Sequence, residues 1–103
     1  MSRHFLVMPK FVKHEIFSSK MRSSSVEQRK MYLEAHKRWV NSERLSGRYI
    51  YSGFLVDNEK QPGGGGLLIF EAESYSEAFK FIQSDPMIQS NLVSWSLQQW
   101  ILV

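Results

Sequence analysis

The chain has 103 residues, 43% of them hydrophobic and 22% charged, with a net charge of +3, which fits one globular domain spanning residues 1–103. There is no cysteine, so disulfides, thiol catalysis and cysteine-ligated zinc or iron–sulfur centres are excluded. No apolar run approaches the roughly 18 residues of a membrane helix, and Met1-Ser2-Arg3-His4 opens no signal-peptide pattern; a cytoplasmic protein without membrane contact is expected.

Phe5 to Val12 predicts the first strand, with Phe5, Val7 and Phe11 on one face and Leu6, Met8 and Val12 on the other. Pro9 lacks a donor and marks a free edge or a bulge. His14 to Ser25 reads as a polar loop. Ser24 with Glu27, and Ser25 with Gln28, have capping-box spacing. They open a helix that runs to about Leu45, along which Tyr32, Ala35, His36 and Trp39 recur at helical spacing. Gly47 suits a left-handed C-terminal cap.

Tyr49 to Val56 predicts the second strand. Asp57 to Gly66, with Pro62 and four consecutive glycines, reads as a turn region, and Leu67 to Glu71 as a third strand forming an antiparallel hairpin with the second. Ser74 and Glu77 cap a second helix, whose Tyr75, Ala78, Phe79 and Ile82 share one face. Asp85-Pro86 ends it, because a residue before proline is pushed out of the helical region. Leu92 to Val103 is the last strand.

The order is βαββαβ, an α+β ferredoxin-like fold with a four-stranded antiparallel sheet. Two helices cover only one face of such a sheet. Strands one, three and four carry apolar residues on both faces, so the second face needs an apolar partner. The simplest partner is a second copy of the chain, giving a homodimer.

Chemistry is sparse. The three histidines, His4, His14 and His36, have no ligand spacing between them, so no metal site is expected. Gly63 to Gly66 precede a strand and lack the Gly-Lys-Ser/Thr ending of a phosphate loop, which leaves a flexible hairpin tip as the reading. The basic residues concentrate before residue 50. They mark either a solvated helix face or a surface for nucleic acid or an anionic substrate. His36 lies on or beside the inward helix face, where it is either a satisfied core residue or a proton-transfer group. Asp85 continues toward the same interior, and spacing alone does not join the two.

The ordered set Ala35-His36, Leu45-Ser46-Gly47-Arg48, Ser52-Gly53-Phe54, Gly65-Gly66, Phe70-Glu71-Ala72, Ser74, Glu77-Ala78, Asp85-Pro86-Met87 and Trp100 resembles the YCII-related (YciI-like) family over roughly residues 26–103. The resemblance implies a dimeric α+β barrel. It also implies a cofactor-free pocket for a small molecule in which His36 and Asp85 form a catalytic dyad. Asp85 would orient the imidazole and His36 would move a proton, with Ser52 and the backbone at Gly53 lining the pocket. The chain departs from the family pattern at Leu33, where an arginine is usual, at Lys37, and at Gly53-Phe54, where Gly-Pro is usual.

Three functions compete: a lyase, isomerase or dehydrochlorinase-like enzyme; a non-catalytic ligand-binding or protein-interaction domain on the same scaffold; and, last, an RNA binder. RNA-recognition domains share the βαββαβ order but stack bases on aromatics of the third strand. Here that strand reads Leu67-Leu68-Ile69-Phe70, which argues against nucleic acid.

Overall fold

The computed structural model describes residues 8–103. Strand β1 (Lys10–Phe17) is followed by a short helix α1 (Ser19–Ser23), the long helix α2 (Val26–Leu45), strands β2 (Ile50–Val56) and β3 (Pro62–Glu71), helices α3 (Tyr75–Ile82) and α4 (Pro86–Gln89), and strand β4 (Val93–Trp100). The four strands form one sheet in the order β2-β3-β1-β4, and every neighbouring pair is antiparallel. This is the α+β ferredoxin-like arrangement that the element order predicts.

The helix starts follow their capping residues. The Ser25 side chain accepts a hydrogen bond from the Gln28 N–H and opens α2, and Ser74 does the same for α3 through Glu77. After α2 the chain turns at Gly47, whose φ of +99° is the left-handed conformation that suits glycine. Asp85 both ends the α3 region and caps α4, its carboxylate accepting from the Met87 N–H with Pro86 at the first helical position.

Three expectations are corrected. The first strand is Lys10–Phe17, not Phe5–Val12; Phe5, Leu6 and Val7 lie outside the described residues, and Pro9 precedes the strand. His14–Phe17 are therefore strand, not loop, and Ser19–Ser23 are helix. The four glycines are not a hairpin tip. They belong to β3, where Gly66 sits opposite Glu15 of β1 and Phe54 of β2. The turn is instead at Asp57–Gln61, closed by the Asp57 N–H donating to the Gln61 carbonyl. The last strand also ends sooner, at Trp100.

One sheet face carries the helices. Phe11, Val40, Ile50, Leu68, Phe70, Ala78, Ile82 and Leu97 form its main apolar core, and a smaller cluster of Met21, Met87, Ile88 and Val93 joins it through Trp95. On the other face Tyr51, Ile69, Val12 and Gln98 lie in one cross-strand row, and Gly53, Leu67, His14 and Ser96 in the next. Among the described residues, no helix covers that face. Among the described residues, no helix is long and apolar enough to cross a membrane.

Candidate functional site

The site begins with an alternation on β1. Phe11, Lys13 and Glu15 point to the helix side, as alternate residues of a strand must. All three are buried, and so Lys13, 1% exposed, brings an ammonium into the interior. A buried charge is tolerated only when it is paired and hydrogen-bonded. Lys13 Nζ donates to Glu15 Oε1 at 2.6 Å and to Asp85 Oδ2 at 2.7 Å.

Asp85 is the hub of the network. It is fully buried at the α3–α4 junction. One carboxylate oxygen, Oδ2, takes the Lys13 ammonium. The other accepts from the Met87 N–H at 2.9 Å and lies 2.8 Å from His36 Nδ1. Burial alone pushes the Asp85 carboxyl up. The hydrogen bond from His36 and the nearby Lys13 charge outweigh that and hold it below the usual carboxylate range. Asp85 is therefore ionised at neutral pH and can only accept, so His36 Nδ1 carries the hydrogen.

The long helix α2 presents His36 between Asp85 and strand β2. Its second nitrogen, Nε2, lies 2.8 Å from the Ser52 hydroxyl. Because Nδ1 is the donor, a neutral ring leaves Nε2 as an acceptor, and Ser52 O–H donates to it. The residues His36, Asp85 and Ser52, 49 and 16 positions apart along the chain, thus meet in one hydrogen-bonded line. Gly53 also borders the cleft, and a Cβ there would meet nothing within 4 Å.

His36 and Ser52 stand on one wall of an open cleft of about 820 Å³, with Asp85 buried behind His36, and the volume is within the size range of small-molecule sites. The apolar lining of the cleft includes Leu33 and Val40 from α2, Phe54 from β2, Leu68 from β3, and Met87. The β3 side is open because Gly63, Gly65 and Gly66 stand there without side chains. Leu33, three residues before His36 on α2, brings an apolar side chain to the cleft.

Lys13 and Glu15 were missed as site residues in the sequence, although one signal pointed to them. They share the odd-numbered parity of Phe11, so a strand continued past Val12 turns both inward. Among the described residues, no group of three or more His, Asp or Glu is placed to hold a metal ion.

Known structures of similar fold include the 5-chloro-2-hydroxyhydroquinone dehydrochlorinase TftG of Burkholderia phenoliruptrix AC1100, determined in complex with 2,5-dihydroxybenzoquinone. It is 20% identical with a TM-score of 0.65, the match covering 91% of this chain and 95% of that one. A second is the solution structure of a hypothetical protein of Arabidopsis thaliana, 14% identical with a TM-score of 0.57, the match covering 93% of this chain and 88% of that one. At these identities the likeness is one of fold. No curated protein matches the sequence. Residues 14–100, which carry all of the network just described except Lys13, match the YCII-related domain, and the chain belongs to the YCII-related family.

Proposed function

We propose that the protein is a small-molecule enzyme in which His36, oriented by Asp85, moves a proton on a small cyclic or aromatic substrate. The reaction class is lyase, isomerase or dehydrochlorinase-like, and the step needs side-chain groups alone. The observation that carries this reading is the hydrogen-bonded line from buried Asp85 through His36 to Ser52, with 2.8 Å at each contact, which brings His36 and Ser52 to the wall of the cleft. The dehydrochlorinase that shares the fold, determined with a quinone bound, supports the substrate class.

The chemistry follows from the tautomer. Ionised Asp85 keeps the hydrogen on Nδ1 and leaves Nε2 as the base. Ser52 marks where a substrate's proton would sit. A substrate O–H or acidic C–H displacing the Ser52 hydroxyl gives its proton to Nε2, and Asp85 stabilises the imidazolium that forms. The proton then returns to a second substrate atom in an isomerisation. In a dehydrochlorination the C–H electron pair becomes the new π bond and chloride leaves with the electrons of its own bond.

Chloride release from 5-chloro-2-hydroxyhydroquinone, and solvent-deuterium exchange into the ring of 2,5-dihydroxybenzoquinone, test the proposal. The wild-type protein should accelerate at least one of them, and His36→Gln should slow it by about a hundredfold, within the range for loss of a general base. Acceleration of neither, or an unchanged rate in His36→Gln, would favour a non-catalytic binding domain. The Ser52–His36–Asp85 order is also that of an acyl-transfer triad. Covalent labelling of Ser52 by a fluorophosphonate would replace proton transfer with that reading.

The same proposal pairs two chains across the open sheet face, whose Val12, Leu67 and Ile69 lie side by side with Tyr51. Sedimentation should give twice the chain mass of 12.1 kDa, and Ile69→Lys should halve it. A monomer at every concentration tested would refute the pairing.

A further inference from the structure

We infer that the cleft binds an organic anion: a small ring or other compact apolar body carrying at least one ionised oxygen. The inference rests on the small-molecule reading of the same cleft, and adds the charge of the ligand to it.

The argument is one of unequal charge. Lys13, Arg22, Lys37 and Arg44 line the cleft, and Glu15 is the acidic residue among its lining. Lys13 is already spent, because it sits between Glu15 and Asp85 at 2.6 and 2.7 Å. Those three groups together carry one net negative charge, and Asp85 directs part of it onto His36. The other three cations are not offset in the same way. Arg22 Nη1 donates to the Phe17 carbonyl at 2.9 Å, and Arg44 donates to the Ile50 carbonyl at 3.3 Å and to Asn41 Oδ1 at 3.5 Å. Among the described residues neither guanidinium has a carboxylate within salt-bridge distance. Lys37 has one, Glu34, at 3.8 Å on an exposed helix face, where an ion pair is worth little.

The two arginines are therefore held in place by neutral acceptors and keep a full charge directed at the cleft. A guanidinium anchored on one edge retains donors on its other edges, suited to a carboxylate or enolate oxygen. Apart from His36, Asn41, Ser52 and glycines, the remainder of the lining is apolar and includes Leu33, Val40, Phe54 and Met87. The complementary ligand has an apolar body against these residues and an anionic edge toward Arg22, Lys37 and Arg44.

The test compares one anionic and one neutral ring of similar shape. 2,5-Dihydroxybenzoquinone is ionised at neutral pH, and its dimethyl ether is not. Calorimetric titration of the full chain at pH 7 should give at least tenfold tighter binding of the anion at 20 mM NaCl. That advantage should shrink several-fold at 200 mM NaCl, as a screened charge interaction does. The Lys37→Gln, Arg44→Gln double variant changes only exposed side chains. It should weaken the anion at least tenfold and leave the neutral ether unchanged. Equal or tighter binding of the ether, no binding of either ring, or an anion affinity unmoved by the double variant would overturn the inference. The two readings fail separately. Charge-selective binding with no chloride release or deuterium exchange removes proton transfer and keeps the anion site. Turnover with equal affinity for both rings does the reverse.

Discussion

Lys13→Met should destabilise the protein by about 3–5 kcal/mol, the usual cost of removing one partner from a buried charge network. The substitution keeps the stem and its packing and removes the ammonium. It strands Glu15 and Asp85, both buried, without the group that lies 2.6 and 2.7 Å from them. For a chain of this size that is a large fraction of total stability. Urea unfolding at pH 7 measures it, and a loss below about 1 kcal/mol would mean that the network carries no net structural load.

The pH dependence gives a second readout of the same substitution. In the wild type the Asp85 carboxyl is held low, so its stabilising contribution is present above the unfolded carboxylate range of about 4 and is lost as the pH falls through the lower folded value. In Lys13→Met the Asp85 carboxyl loses the ammonium that helps hold it low while burial still pushes it up, so less stability is lost as the pH falls through the folded value. A shallower acid slope in the variant identifies lost charge compensation; parallel slopes identify lost packing.

Gly65→Ala should cost about 3 kcal/mol, from two separate sources. Gly65 has φ of +88°, a conformation in which an L side chain is strained by about 1–3 kcal/mol. A Cβ there would also clash with the Glu15 carbonyl oxygen. That oxygen belongs to the backbone of the central strand β1, so relief requires the β1–β3 pair to move apart, a cost of overpacking of similar size. Gly53→Ala is the control, since nothing lies within 4 Å of a Cβ there. Thermal unfolding of both variants checks the difference, and equal midpoints would contradict the close approach at Gly65. Because Gly65 faces the backbone of Glu15, the same variant should also disturb the Lys13 pairing and reduce ligand binding at the cleft.

The helices were legible because local chemistry sets them. Ser25 and Ser74 cap through their own side chains, Asp85-Pro86 breaks the chain, and Gly47 supplies the left-handed turn, all within a few residues. The strand–helix order, and with it the ferredoxin-like class, follows from these local signals and the apolar periods between them. His36 and Asp85 were visible as candidates for the same reason: His36 lies at a helical position of readable phase, and Asp85 in the Asp-Pro step that closes the α3 region.

What the sequence by itself could not determine was long-range pairing. Polarity argued that His14–Phe17 was loop, because a strand that turns Lys13 and Glu15 inward is disfavoured until their partner is known. That partner is Asp85, 72 residues from Lys13, and only the tertiary fold supplies it. Four consecutive glycines likewise read as a flexible tip until β1 is found running against them, where the close approach at Gly65 leaves no room for a side chain. The separation of the cleft's unoffset cations from its internally compensated Lys13 was decided in the same way. Composition gives the same positive charge to each lysine and arginine, and only the arrangement of their neighbours shows which of those charges remain available to a ligand.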